Sequence, residues 1–297
     1  MTPSFLKQMM LGISLAALTP AIAAPSNAQP AETQGYVVPE TEVWDIEAAH
    51  GETYRIYISR PEGEAPEQGY PVLYVLDGNA LFAGFAEARR IQSIYNYGFD
   101  KMIVVGIGYP NQELYDSRRV GDFTPPIEAP FLAEYHKDDP SGKRDLFFDF
   151  LMDELRPEIE TRYSINPLRQ SLYGHSLGGL FALHVLYTQP DAFNAIIAAS
   201  PAIWWDRQMI IKEEQAFAAR LEDEPELLGH VARLLLLVGE REEESAMTGD
   251  TILLGERLKD LSKYGLRSDY QVFEDETHIS VPSRSVTVTM REAMQWP

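Results

Sequence analysis

Ser171-Leu172-Tyr173-Gly174-His175-Ser176-Leu177-Gly178-Gly179-Leu180 is the stretch on which the fold turns. It reads as a short strand over 171–173, a G-x-S-x-G turn over 174–178, and the opening of a helix that runs from Leu177 to Tyr187. A serine held between strand and helix by two glycines fits a nucleophile elbow. The glycines leave room for a sharp, strained turn that lifts the hydroxyl clear of the backbone. The plainer alternative is a glycine-rich turn whose serine caps a helix. The strand-turn-helix context favours the elbow.

Outward from this point, strand and helix patterns alternate. Val72–Leu76, Met102–Ile107, Ala195–Ala199, Leu234–Val238 and Asp269–Phe273 read as strands, most of them continuous apolar runs. Such runs fit strands covered on both faces of a parallel sheet. Helical periodicity marks Phe82–Ile94, Arg144–Tyr163, Gln208–Leu221, Thr251–Leu261 and Arg284–Trp296. Ahead of these, Glu42–Glu47 and Thr53–Ser59 alternate polar and apolar around His50-Gly51, the signature of an antiparallel hairpin. The expected fold class is α/β: a mainly parallel central sheet with helices on both faces and an N-terminal antiparallel hairpin. One domain over 41–297 accounts for the pattern. Residues 108–143, with Pro110, Pro125, Pro126, Pro130 and Pro140, read as a long irregular loop, a length that in a compact domain points to function or to disorder.

The N-terminus has a different character. Lys7 is the only charged side chain among the first thirty residues, an apolar run follows from Met9 to Leu18, and Ala21-Ile22-Ala23 fits a cleavage site. This is the pattern of a secretory signal peptide over 1–23, with Ser26-Asn27-Ala28 as a later alternative for the cut. The apolar run is too short to span a bilayer, so no stable membrane anchor is expected after cleavage. Residues 24–40 read as a flexible mature N-terminus. The expected location is periplasmic or secreted. The 297 residues carry 45 Asp and Glu against 25 Lys and Arg, a net charge of −20. Such a surface repels a phosphate backbone, so no nucleic-acid partner is expected. The chain has no cysteine, which excludes disulfides, thiolate metal sites and a thiol nucleophile.

A serine hydroxyl needs a base. Of the histidines after Ser176, His184 lies within the following helix and reads as structural, and His230 follows Gly229, precedes an apolar strand and reads as a surface cap. His278 follows the strand ending at Phe273 and precedes the last helix, which suits the base of an α/β-hydrolase, whose order along the chain is serine, acid, histidine. The acid is expected beyond the strand Leu234–Val238, in Gly239-Glu240-Arg241-Glu242-Glu243-Glu244. Glu242, three residues past the strand-end glycine, is the first choice, with Glu240 and Glu243 as alternatives. Two backbone amides should hold the oxyanion: that of Leu177, and one from the loop after Leu76, where Gly78 and Asn79 are the candidates. No metal motif, phosphate loop or dinucleotide fingerprint is visible. His136-Lys137-Asp138-Asp139 is a poor ligand array. The expectation is no metal and no cofactor.

These residues resemble a known group. Tyr74-Val75-Leu76-Asp77-Gly78-Asn79, Gly106-Ile107-Gly108-Tyr109-Pro110, Arg118-Arg119 with Asp122-Phe123-Thr124-Pro125, Gly174-His175-Ser176-Leu177-Gly178-Gly179, Ser200-Pro201-Ala202-Ile203-Trp204-Trp205 and Val238-Gly239-Glu240-Arg241-Glu242 together look like the putative-esterase family of α/β-hydrolases. Within it they are most similar to the branch of periplasmic siderophore esterases, which open enterobactin- and salmochelin-type trilactones. The resemblance implies a serine esterase working through an acyl-enzyme, with Ser176 as nucleophile and His278 as base. Some members work with a Ser–His dyad, so it leaves the role of Glu242 open. It also implies that Arg118 or Arg119, with Trp204 and Trp205, line the substrate cleft. The plainer reading puts the tryptophans in the core and pairs the arginines with Asp116 and Asp122. The implied partner is a small-molecule ester, a ferric or iron-free catecholate siderophore being the specific expectation. A general carboxylesterase, an acyltransferase and a non-catalytic ligand-binding relative are the alternatives. A ferric catecholate is anionic, so this chain needs a locally positive cleft to receive one.

Overall fold

Apolar runs need cover on both faces, and the tertiary structure supplies it. The computed structural model describes residues 35–94, 101–127, 141–228 and 233–294. Among them β1 (Thr41–Glu47), β2 (Thr53–Ser59), β3 (Tyr70–Val75), β4 (Ile103–Gly108), β5 (Ile165–His175), β6 (Ala195–Ala199), β7 (Arg233–Gly239) and β8 (Arg267–Phe273) form one sheet in the order β1-β2-β4-β3-β5-β6-β7-β8. β1 and β2 make the expected hairpin, with Trp44 opposite Ile56. β2 joins β4 antiparallel, and the later pairings are parallel.

Alternation along β5 sends neighbouring side chains into opposite cores. Leu172 enters the layer that holds Phe147, Leu180, Phe217 and Leu254. Tyr173 enters the other layer, beside Phe85 of the helix Gly78–Gln92 and near Met290 of the helix Val281–Met294. The rings of Phe85 and Tyr173 are 4.9 Å apart, and the Tyr173 and Ser285 hydroxyls hydrogen-bond at 2.9 Å.

Several elements depart from the sequence reading. β5 begins at Ile165 rather than Ser171. Pro167 and the polar residues around it hide its first half, where the pairing to β3 is also irregular. Gln170 is nonetheless buried there and accepts a hydrogen bond from the Tyr74 hydroxyl at 2.8 Å. The long loop contains a short helix, Arg118–Phe123. The helix expected over 144–163 widens into a π-helical segment at Phe150–Leu155. A left-handed turn at Asp206, Arg207 and Gln208 precedes the regular part of the helix Trp205–Asp223. The expected signal peptide, much of the tail after it, His136 to Asp139, His230 and Trp296 lie outside the described residues. None of the described helices is long and apolar enough to cross a membrane.

Parallel pairing has one decisive consequence. The carboxyl ends of β3 to β8 open on the same edge, and residues that follow different strands meet there.

Candidate active site

Ser176 joins β5 to the helix Leu177–Thr188 with φ 60° and ψ −118°, a conformation that an L-residue adopts only under constraint. The constraint is visible. The Ser176 N–H donates to the Ala199 carbonyl at 3.0 Å, and its own carbonyl accepts from Ala202 N at 3.1 Å and Leu180 N at 3.0 Å. Gly174 is required by space: a Cβ there would sit 2.0 Å from the Gly178 carbonyl oxygen.

His278 lies in the loop between β8 and the helix Val281–Met294. Its Nε2 is 3.1 Å from Ser176 Oγ, and its Nδ1 is 2.7 Å from Glu242 Oε2. The other carboxylate oxygen, Oε1, accepts from Ser200 Oγ and from the Gly239 N–H, each at 2.7 Å. Burial alone raises the Glu242 pKa. Hydrogen bonds from His278, Ser200 and Gly239 outweigh it and hold the carboxyl below its usual value. The carboxylate therefore stays ionised at neutral pH and accepts a hydrogen bond from the Nδ1–H. Nε2 is left with a lone pair toward the serine hydroxyl. A Cβ on Gly239 would come within 2.4 Å of the Glu276 carbonyl oxygen, so the tight turn that delivers Glu242 depends on glycine. Glu240 points elsewhere and accepts from the Asp275 N–H at 3.0 Å. The Glu243 side chain is outside the described set.

Leu177, Gly78 and Asn79 open two helices, Leu177–Thr188 and Gly78–Gln92. First-turn amides have no partner within their own helix and carry the positive end of its dipole. The sequence picked these positions as oxyanion donors, and the fold brings both helix starts to the sheet edge where Ser176 stands. The Gly78 loop is braced. Asp77 takes a left-handed conformation at φ 54°, and its buried carboxylate receives two hydrogen bonds from Arg119, at 2.6 and 2.9 Å. The Asn79 amide latches onto β4's end. It accepts from Tyr109 N at 2.8 Å and donates to the Tyr109 carbonyl at 3.0 Å and the Asn111 carbonyl at 3.2 Å.

The residues expected in the substrate cleft divide. Arg119 is spent on Asp77. Arg118 pairs with Glu52 at 2.8 Å, lies 3.8 Å from Asp116, and stacks over the Tyr109 ring at 4.7 Å. Both guanidinium groups thus already have carboxylate partners, as the plainer reading held, although Asp77 and Glu52 were not the partners named there. Trp205 is fully buried in the core, while Trp204 is 36% exposed.

Two residues escaped the sequence reading. Ser200 appears in it only as part of a motif, and its contact with Glu242 spans 42 positions. His175 fills the variable position of G-x-S-x-G, where no local signal marks it. It is 2% exposed, its ring lies tilted against that of His278 with centroids 4.5 Å apart, and its Nε2 lies 2.9 Å from the His278 carbonyl oxygen. Burial, then the nearby His278 and Arg119, push its pKa down to about 3. It is therefore neutral and donates through Nε2. Among the described residues, no group of His, Cys, Asp and Glu could hold a metal ion.

Known proteins share this arrangement of chain. The ferri-bacillibactin esterase BesA of Bacillus subtilis is 38% identical over 274 residues, spanning 88% of this chain and 92% of its own. The crystal structure of the BES protein from Bacillus cereus superposes with a TM-score of 0.82 at 34% identity, covering 90% of this chain and all (100%) of that one. The siderophore hydrolase EstA from Aspergillus nidulans gives 0.75 at 27% identity, over 87% and 97% of the two chains. The profile of the family described as "Putative esterase" matches residues 48–278, from the start of the hairpin's turn to the site histidine, and so the chain belongs to that esterase family and is an ester hydrolase.

Proposed function

We propose that this protein hydrolyses ester bonds of a siderophore through an acyl-enzyme, with Ser176 as nucleophile, His278 as general base and Glu242 as the acid that orients it. The observation that carries this reading is the continuous line from Ser176 Oγ to His278 Nε2, 3.1 Å, and from His278 Nδ1 to Glu242, 2.7 Å. Ser176 Oγ attacks the ester carbonyl carbon while Nε2 takes its proton. The oxyanion rests on the Leu177 amide and on Gly78 or Asn79. Collapse breaks the bond to the alkoxy oxygen, and His278 returns the proton to the leaving alcohol. Water then repeats the sequence on the acyl-serine, with His278 again the base, releasing the acid and restoring the hydroxyl.

The substrate class draws support from the relatives, one named for ferri-bacillibactin and one as a siderophore hydrolase. The apolar run and cleavage pattern at the N-terminus support a leader over 1–23 and export to the periplasm or beyond, with the catalytic domain over 41–297. The test is direct. Wild type and Ser176→Ala are compared on p-nitrophenyl butyrate and on a catecholate trilactone, with products identified by mass. Loss of turnover in the variant on both substrates, with the linear acid as product, is expected. Equal rates in the two proteins would remove Ser176 as nucleophile. Cleavage of the small ester alone would confine the protein to a general esterase.

A further inference from the structure

We propose that the cleft between Pro125-Pro126 and the first turns of the helix Trp205–Asp223 seats an anionic, oxygen-rich aromatic arm of the substrate, with Arg207 and Lys212 as the cations that hold it. The inference rests on the siderophore reading above and names the subsite that reading requires.

The requirement is electrostatic. A chain of net charge −20 repels a polyanion unless positive charge is concentrated where the ligand sits. The arginines singled out by the sequence do not supply it. Arg118 is paired with Glu52 and Arg119 with Asp77. Lys143 also binds Glu52, and Arg144 binds Glu213.

Arg207 and Lys212 differ. Both line a cleft of about 570 Å³, room for a catechol-sized arm, and neither has a carboxylate partner among the described residues. Two acidic residues share the lining, and both are engaged. Glu213 takes hydrogen bonds from Arg144 at 2.9 Å and lies 2.7 Å from His184 Nδ1, and Asp206 has a partner of its own.

The backbone adds an independent observation. Asp206, Arg207 and Gln208 stand at φ 42°, 56° and 61°, three consecutive left-handed residues without a glycine. Each such residue costs about 1–2 kcal/mol, so the turn persists only because its surroundings hold it. Trp205 is anchored in the core on one side, and on the other Gln208 Nε2 donates to the Asp250 carboxylate at 3.2 Å. The strained turn fixes Arg207 at the cleft instead of letting a regular helix start carry it elsewhere. The segment before this turn, which follows β6, is hydrogen-bonded to the nucleophile: Ala202 N donates to the Ser176 carbonyl, and Trp205 N to the Ala202 carbonyl. One wall of the cleft is thus built on a segment pinned to the elbow by a backbone hydrogen bond.

The experiment uses the full chain carrying Ser176→Ala and an ester-free probe, the trianionic gallium(III) complex of three 2,3-dihydroxybenzamides, titrated by calorimetry at two salt concentrations. Adding Arg207→Gln with Lys212→Gln is expected to weaken binding at least tenfold and to flatten its salt dependence. Lys212→Gln alone, within a regular helix, is expected to weaken it about threefold. Lys259→Gln with Lys263→Gln, the same change in net charge elsewhere, leaves affinity within twofold. No binding by the parent protein, or equal binding by parent and double variant, overturns the proposal. If the probe binds in a manner that depends on Arg207 and Lys212 while the active protein fails to open a trilactone, the siderophore substrate falls and the anion subsite stands.

Discussion

Replacing Glu242 by glutamine separates an orienting acid from a bystander. The carboxylate accepts hydrogen bonds on Oε1 from Ser200 and Gly239 and on Oε2 from His278, each at 2.7 Å. Ser200 Oγ and the Gly239 N–H both need an acceptor, so the glutamine carbonyl oxygen takes the Oε1 position. The amide NH2 is left facing His278 Nδ1. That group donates, so Nδ1 must accept, and the imidazole proton moves to Nε2. The base then presents a proton to Ser176 Oγ where it should present a lone pair. A wrong tautomer of this kind lowers kcat about 10³- to 10⁴-fold, or roughly 4–5 kcal/mol of barrier, with KM little changed. Glu242→Ala imposes no tautomer and is expected to retain more activity than the glutamine variant. It leaves the buried Ser200 hydroxyl and Gly239 N–H without their acceptor, at a cost of about 1–3 kcal/mol in stability. The assay is steady-state hydrolysis of p-nitrophenyl butyrate, with circular dichroism to establish folding. A folded glutamine variant whose kcat is within tenfold of wild type would refute the reasoning, and the site would then work as a Ser–His dyad.

Other perturbations test the frame around the site. Gly174→Ala places a methyl 2.0 Å from the Gly178 carbonyl and should abolish activity and lower Tm by several degrees, read by thermal melts. His175, with its pKa pushed down to about 3 by burial first, stays neutral in the folded chain while the unfolded chain takes a proton below its ordinary value of 6.5. Its contribution is therefore full above pH 6.5 and fades as pH falls; between pH 7 and pH 5 the loss is about 2 kcal/mol, and His175→Gln should lose that much less in urea melts across the same interval. Asp122 is buried against the Tyr109 hydroxyl at 3.0 Å, and desolvation lifts its pKa to about 6. Its raised value destabilises the fold as pH climbs from 4 through 6, by about 3 kcal/mol in all, so Asp122→Asn should flatten the pH dependence of Tm over that range. An unchanged slope would show that Asp122 is already compensated by its neighbours.

Much of this was legible because it is written in local pattern. The apolar runs of β3, β4 and β6, the alternation of β1 and β2, and the glycines flanking Ser176 each act within a few residues of themselves. His278 and Glu242 could be placed from chain order alone, because a parallel sheet delivers every strand's carboxyl end to one edge. The first half of β5 was not legible, since Pro167 and Arg169 mask a strand that pairing with β3 sustains. The left-handed turn at Asp206–Gln208 was hidden for a related reason: nothing in Asp-Arg-Gln announces it, and only anchors on Trp205 and Asp250 hold it.

By itself, then, the sequence determined the sheet, the elbow and the candidates for nucleophile, base and acid, because hydrophobic period, glycine and chain order are properties of neighbours. Tertiary structure alone decided which charges are free. Arg119 and Asp77 stand 42 positions apart and Arg118 and Glu52 66 apart, and no local reading can tell a guanidinium already paired across such a distance from one, such as Arg207, that has no carboxylate partner among the described residues.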